Sequence, residues 1–549
     1  MKNYILSALS IFIFSLGFAQ QTKVITQSVK IYDYTEQNFI EKQLRNWQHK
    51  DIVLDTIPGT SIDRLYREFD LNLKDSIIVA IIDSGIDIEH EDLKGQFWVN
   101  TKEIAGNGID DDQNGYIDDI HGWNFLGTKN GQQTLYARKE LVRILKNKRY
   151  FKNKEKFLAK ADTTSVEMAQ NYEKQVKTLK EDWDYVTDIE NDYKKIRKDL
   201  KSYFPNQRYN MEALKDIDTI KHPELSYSVR KLDYYLTYDA TLEWMSDYKE
   251  YLQVIEDYKL NPKFQDRKDI GDDISDINDR NYGNPIITPK NRKELHGTAV
   301  ASLIAARRNN DIGMNGVLNN VKLMVLRAVP SGDEYDKDIA LAIRYAVDNG
   351  ARIINMSFGK SYSSYPQMLK EAITYASTKD VLLVHAAGND SNNVDTITFY
   401  PLDYSNEGRN SKKNEFVDNF VNVGAIHYKL NEKLSAYFSN YGKGDVDIFA
   451  PGHFLNLALP DNAYSTDSGT SFAAPVVAGI AAILRSQYPA LSAAQTKQIL
   501  LSSGITYDLL VRPPGGEQEE RVPFSSLSKS GNVVNAYNAF VMAKEMLKE

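Results

Sequence analysis

Apolar residues gather in short runs toward both ends of the chain and follow a helical rhythm in its middle. The runs SIIVAIID (76–83), VKLMVLRAV (321–329), ARIINMSF (351–358), VLLVHAAG (381–388) and FVNVGAI (420–426) have the length of strands. Segments this apolar along both faces read as strands buried on both sides, and helical patterns at 336–349 and 366–379 are long enough to cross between them. The pattern predicts an α/β fold: a doubly wound parallel sheet assembled from two blocks, residues 77–131 and 290 onward.

Between the blocks the chain is dense in Lys, Glu, Asp and Tyr and nearly free of Gly. Met168, Tyr172, Val176, Leu179, Trp183, Val186, Ile189, Tyr193, Ile196 and Leu200 recur every three or four positions, which predicts one long helix stopped by Pro205. Leu225, Val229, Leu232, Leu236, Trp244, Tyr248, Leu252 and Ile255 predict a returning helix, and so an antiparallel helical pair inserted into the sheet fold. The expected organisation is a signal peptide over 1–19, a lead-in over 20–61, a core domain made of 62–134 and 266–549, and a helical insertion over 135–265.

Composition narrows the setting. With 549 residues, 42% hydrophobic and 26% charged, the chain can bury a large core. There is no cysteine, which removes disulfides, thiolate metal sites and a lipid-modified cysteine. A net charge of -8 with interleaved signs lacks the basic footprint of a nucleic-acid binder, so no nucleic acid is expected. The start, MKNYILSALSIFIFSLGFAQQ, joins a basic residue to an apolar run and the small residues Gly17 and Ala19. That run is shorter than the ~20 residues that span a bilayer, so it reads as a signal peptide cleaved after Ala19, leaving no transmembrane anchor. The destination is therefore periplasmic or extracellular.

Four residues stand where a buried run opens into a turn or helix. Asp83 ends the first run, before Ser84-Gly85, where sites of parallel α/β sheets collect. His296 begins HGTAVASLIAA, and Ser471 lies where Gly469 turns into a helix of small apolar residues containing Pro475. Asn389 follows VLLVHAAG, with an amide able to donate to an oxyanion. Taken singly, each is more often a cap or turn residue.

Together, IIDSGID around Asp83, HGT (296–298), NMSFG (355–359), AAGN (386–389) and GTSFAAP (469–475) closely resemble the subtilisin-like serine protease family, the subtilases of peptidase family S8. The resemblance covers about 350 residues, roughly 62–131 and 268–549. It implies an exported serine endopeptidase acting on protein or peptide substrates through an acyl-enzyme: Ser471 the nucleophile, His296 the general base, Asp83 its orienting carboxylate and Asn389 an oxyanion donor. It also implies that Ser357, Phe358 and Gly359, with Ala387 and Gly388, contact substrate backbone. This chain departs from the family pattern in carrying Ala299-Val300-Ala301-Ser302 after HGT and Phe472 after GTS, and in placing His296 213 positions after Asp83. The helical insertion accounts for most of that spacing.

Residues 106–123, GNGIDDDQNGYIDDIHGW, set Asp110, Asp112 and Asn114 at alternate positions before Gly115, with Asp118 and Asp119 following. That spacing matches the first part of an EF-hand-like loop, in which the Tyr116 carbonyl is a further ligand although His121 replaces the closing glutamate. A structural calcium ion is expected there. Another acidic stretch, 269–284, either lines the cleft or binds an ion, and the pocket loops around 400–415 show no motif. The competing reading from another class is an inactive scaffold whose helical insertion binds a protein partner.

Overall fold

The computed structural model describes Leu44 and residues 46–71, 76–291, 293–404 and 414–547. The expected signal peptide, most of the lead-in and part of the 400–415 loops lie outside these residues. The chain divides into two compact units, one comprising Tyr136–Asp266 with Ser331–Asp333 and the other the remainder.

Among the described residues the larger unit has thirteen strands: β1 (Ile77–Asp83), β2 (Gly122–Asn124), β3 (Val321–Arg327), β4 (Ile353–Met356), β5 (Leu382–Ala386), β6 (Phe420–Ile426), β7 (Ile448–Pro451), β8 (Leu455–Leu459), β9 (Ala463–Asp467), β10 (Ile505–Thr506), β11 (Leu510–Val511), β12 (Val522–Pro523) and β13 (Asn532–Val533). Nine of them form one sheet in the order β10-β13-β7-β6-β5-β4-β1-β3-β2, parallel except for the β10–β13 edge pair. This is the doubly wound α/β sheet, and its strands are apolar throughout because both faces are covered. Along β1, Val79 and Ile81 enter one core, while Ala80 and Ile82 enter the other. Helices His296–Ala305 and Thr470–Gln487 bury their apolar residues in the first core, and Asp336–Asp348 and Pro366–Thr378 in the second.

Residues 46–71 belong to this unit. Trp47 is fully buried, its indole N–H reaching the carbonyls of His453 (3.1 Å) and Phe454 (3.3 Å). The Arg308 guanidinium pairs with Asp63 at 2.9 Å, and Tyr66 donates to the Val317 carbonyl at 3.1 Å.

The smaller unit holds the inserted helices. A 37-residue helix, Thr163–Asp199, starts at an Asp162 cap whose side chain accepts the Ser165 N–H, and it ends at Leu200 before Pro205 is reached. Of its expected apolar face, Met168, Leu179, Val186, Ile189, Tyr193 and Ile196 are buried, whereas Val176 faces outward. The returning element is two helices, Ser226–Thr237 and Leu242–Val254, because Asp239 takes a left-handed φ of 54° and Thr241 caps a new start on the Trp244 N–H. Entry and exit are pinned together: Arg138 makes paired hydrogen bonds to the Asp266 carboxylate (2.7 and 3.1 Å), and Tyr136 stacks on Tyr258 at 4.1 Å.

Because Trp47 fills the core and donates to two otherwise distant carbonyls, Trp47→Ala is expected to destabilise the larger unit by about 3–5 kcal/mol. Chemical denaturation followed by intrinsic fluorescence measures it.

Candidate active site

The carboxyl ends of the parallel strands carry the site. Asp83 closes β1, is 1% exposed, and pairs in register with Arg327 of β3. His296 opens its helix with Nδ1 2.8 Å from Asp83 Oδ1. A carboxylate only accepts, so Nδ1 carries the proton and Nε2 of the neutral ring is left with a lone pair. Burial disfavours the charged imidazole, but the charge and hydrogen bond of Asp83, with Asp467 adding, outweigh it and hold the His296 pKa above its ordinary 6.5. Asp83 Oδ1 also accepts the Ser84 N–H at 2.7 Å, and Ser84 Oγ accepts the Gly297 N–H at 2.9 Å. Gly297 is required by closeness: a Cβ there would stand 2.7 Å from the Ser84 and Gly85 carbonyl oxygens.

Ser471 is the second residue of the helix Thr470–Gln487, whose first turns contain Pro475. A proline four residues on has no N–H for the Ser471 carbonyl, leaving that acceptor open inside the helix. Ser357, just past β4, fills the gap: its Oγ donates to the Ser471 carbonyl at 2.7 Å, while Ser471 Oγ donates to the Ser357 carbonyl at 3.1 Å. Asn355 Nδ2 completes the arrangement by donating to Ser357 Oγ at 2.9 Å. The Phe472 ring lies 5.7 Å from the His296 ring, bringing the serine turn beside the imidazole.

Asn389 is oriented by Thr470. Its Oδ1 accepts the Thr470 N–H (2.8 Å) and Oγ1–H (2.9 Å), which turns Nδ2 toward the Gly469–Ser471 turn. The bend before it depends on Gly388, with φ of 104°, and on Asn440. Asn440 Nδ2 donates to the Ala387 carbonyl (2.8 Å), and its Oδ1 accepts the N–H groups of Asp390 (3.1 Å) and Asn392 (2.9 Å). Beneath the Ser357–Phe358–Gly359 segment, buried His385 contacts the Phe358 carbonyl through Nε2 at 2.9 Å. Burial lowers the His385 pKa to about 4, so the ring is neutral there. Asn440 and His385 went unnoticed in the sequence because their partners lie far away along the chain, and Asn355, inside the NMSFG motif, because its role runs through Ser357 to a helix 114 positions later.

A buried ion pair supports the edge. Arg327, fully buried, meets Glu294 through Nε–Oε1 (2.7 Å) and Nη2–Oε2 (3.2 Å), and also donates to Asn124 Oδ1 and the Thr134 carbonyl, both at 3.0 Å. Glu294 Oε1 accepts the Gly85 N–H at 2.7 Å, two residues after Asp83 and two before His296 in its own segment. Neither residue of this pair was singled out from the sequence.

The acidic loop divides. Carboxylate oxygens of Glu103, Asp110 and Asp112 converge within 4.8 Å of one another, a hard-oxygen group of the kind calcium takes. Asn114 adjoins it, its N–H bonded to Asp110 and Asp112. Asp118 and Asp119 do not join this group. Asp118 accepts the N–H groups of Gly106, Asn107 and Gly108, and Asp119 points into the core, held by Asn100, Asn114 and the Tyr345 hydroxyl at 2.5 Å. Burial raises the Asp119 pKa to about 6. The Tyr116 ring is buried against Trp123 and Tyr345. Glu103 lies outside the alternating Asp/Asn spacing, which hid it.

The Ser357–Pro475 relation is directly testable. Ser357→Ala strands the Ser471 carbonyl and is expected to cost about 1–3 kcal/mol in denaturation. Adding Pro475→Ala restores an N–H to that carbonyl, so the double variant is expected to recover part of the loss.

A model of the subtilase family matches residues 74–515. A thermophilic serine proteinase of Bacillus sp. (strain AK1) is 38% identical over 193 residues, covering 35% of this chain and 43% of the relative. Subtilisin DY of Bacillus licheniformis is 35% identical over 210 residues, covering 38% of this chain and 69% of that protein. Thermitase of Thermoactinomyces vulgaris is 34% identical over 201 residues, covering 36% and 64%. Among solved structures, one described as the structural basis of subtilase cytotoxin SubAB assembly is 27% identical, with a TM-score of 0.38, covering 48% of this chain and 81% of that one. The aligned stretch thus spans less than half of the thermophilic proteinase, yet the family model runs from the first strand through the serine helix and beyond, and the chain belongs to the subtilase family.

Proposed function

We propose that this chain is an exported serine endopeptidase that cleaves protein or peptide substrates through an acyl-enzyme. The observation that carries the reading is the His296 Nδ1–Asp83 hydrogen bond of 2.8 Å at the sheet edge that also holds Ser471 and Asn389. Ser471 Oγ leaves the Ser357 carbonyl and gives its proton to His296 Nε2 as it attacks the scissile carbonyl; Asp83 stabilises the imidazolium. Asn389 Nδ2 and the Ser471 N–H stabilise the oxyanion, His296 protonates the leaving amine, and water then releases the acyl group. Ser357, Phe358 and Gly359, with Ala387 and Gly388, bind extended substrate backbone.

The curated relatives are named as proteinases and subtilisins, which supports peptide hydrolysis. The leader-like first nineteen residues support export to the periplasm or beyond. Among the described residues no helix is long and apolar enough to cross a membrane. Calcium is the ion that suits Glu103, Asp110 and Asp112, where it would offset clustered negative charge and stiffen the loop before β2.

A fluorophosphonate probe is expected to label wild type at Ser471 and to leave Ser471→Ala unlabelled; no adduct on folded wild type would overturn the reading in favour of an inactive scaffold. Since His296 must be neutral to act and its pKa is held up by Asp83, kcat/KM is expected to rise with pH through a value above 6.5. In Asp83→Asn that limb shifts downward and turnover falls by orders of magnitude. Asn389→Ala is expected to lose about 10²–10³ in kcat, the magnitude known from subtilisin's own oxyanion asparagine. Calcium at a hundredfold over its Kd is expected to add about 2.7 kcal/mol of stability, lost with chelator and in Asp110→Ala. Thermal scans with and without chelator read it.

A further inference from the structure

Beyond Asn389 on the same sheet edge lies a cavity of about 470 Å³. Its walls come from the ends of successive strands: Ser391 after β5, His427 after β6 and His453 after β7, closed by Tyr437 and by Arg512 of the C-terminal segment. Ser391 ties the cavity to the site. Its N–H donates to the Phe438 carbonyl (2.9 Å) and its Oγ to the Tyr437 carbonyl (2.9 Å), two residues from Asn389. His453 follows Gly452, whose carbonyl accepts the Gly469 N–H at 2.8 Å.

Most polar groups in this wall are hydrogen-bonded, but two atoms are not. Arg512 Nε is buried without a hydrogen-bond partner, and so is Nδ1 of His453, a residue only 6% exposed. Lys433 adds a second cation to the lining, and among the described residues no carboxylate lies within ion-pair distance of either. Glu432 also lines the cavity, so the two cations leave it a net positive charge, and it gives its backbone carbonyl to the Arg512 N–H at 2.9 Å. Burial lowers the His453 pKa to about 4, so the ring is a neutral donor or acceptor. A guanidinium Nε–H and an imidazole nitrogen left without partners in a concave wall are costly unless something fills it. The planar fork of a guanidinium matches a carboxylate with two parallel hydrogen bonds.

We infer that this cavity receives an aspartate or glutamate side chain of the substrate, Arg512 pairing with its carboxylate, Lys433 reinforcing the charge and His453 completing the contacts. The inference rests on the peptide hydrolysis proposed above. Strand order sets which half of the substrate supplies the acid. Backbone pairing at 357–359 uses the end of β4, the scissile bond sits between Ser471 and Asn389 at the end of β5, and the cavity opens at β6 and β7. The acidic residue therefore lies across the scissile bond from the half held at β4.

The test uses matched peptides carrying Glu, Gln or Lys at each of three positions on both sides of one cleavable bond, with C-terminal amides and free acids as separate arms. Wild type is expected to prefer Glu over Gln by about tenfold in kcat/KM at one position on one side only, with Lys poorest. In Arg512→Gln that ratio is expected to fall to about one. Loss of the preference only on amidation would assign the pocket to a C-terminal carboxylate instead. No preference in wild type, or a preference that survives in Arg512→Gln, overturns the inference while leaving hydrolysis intact. Should no peptide be cut and Ser471 remain unlabelled by fluorophosphonate, the protease reading fails. The pocket is then judged by fluorescence anisotropy of the labelled Glu and Gln peptides on Ser471→Ala protein, with and without Arg512→Gln. Equal binding of the two peptides there overturns the inference as well.

Discussion

Arg327 is a guanidinium with no exposure to water, tolerable only because Glu294 neutralises it and two carbonyl oxygens take two more of its donors. Those partners come from both sides of the inserted unit. Asn124 and Thr134 precede it, Glu294 follows it, and Glu294 also binds the Gly85 N–H beside Asp83. Removing one member of such a pair leaves a buried charge alone, a loss of roughly 3–5 kcal/mol. The distance between Asp83 and His296 along the chain is bridged here by electrostatics within the sheet unit. Backbone bonds between Asn124 and Asn284, and from the Ile86 N–H to the Ile287 carbonyl, extend the same seam.

The insertion complements that arrangement from its own side. Arg138 and Asp266 close its neck with a two-point ion pair, so the chain leaves and returns at neighbouring positions. Its interior, from Ile189 and Tyr193 to Leu232 and Tyr235, is a separate core. A unit with its own core and a closed neck adds length between two motifs without demanding that they move apart, and the entropy of closing a loop grows only slowly with its length.

What the sequence revealed follows from which forces are local. β1, β3, β4, β5 and β6 were legible because two-sided burial leaves an apolar run. β2 is three residues beside an acidic loop, and β9 is exposed along its whole length, so neither leaves such a trace. The single returning helix became two because the φ of Asp239 outweighs a continuous apolar rhythm. Asp83, His296, Ser471 and Asn389 were visible through the motifs around them. Glu294, Arg327, Asn440 and Glu103 were not, since each matters through partners that only the fold supplies. Asp118 and Asp119, expected beside Asp110 and Asp112, lie outside the group that Glu103 forms with those two, and backbone N–H groups and the Tyr345 hydroxyl bond to their oxygens.

Pro475 carries one more consequence. By deleting the donor that an ordinary helix would offer Ser471, it transfers the completion of that turn to Ser357, 114 positions earlier in the chain. The helix alone cannot finish the geometry of its own second residue. A nascent or partly unfolded chain therefore holds an unfinished turn at Ser471, which is completed when β4 docks beneath it. In the catalytic reading proposed above, competence at Ser471 is coupled to assembly of the sheet, a built-in delay between making the polypeptide and arming it.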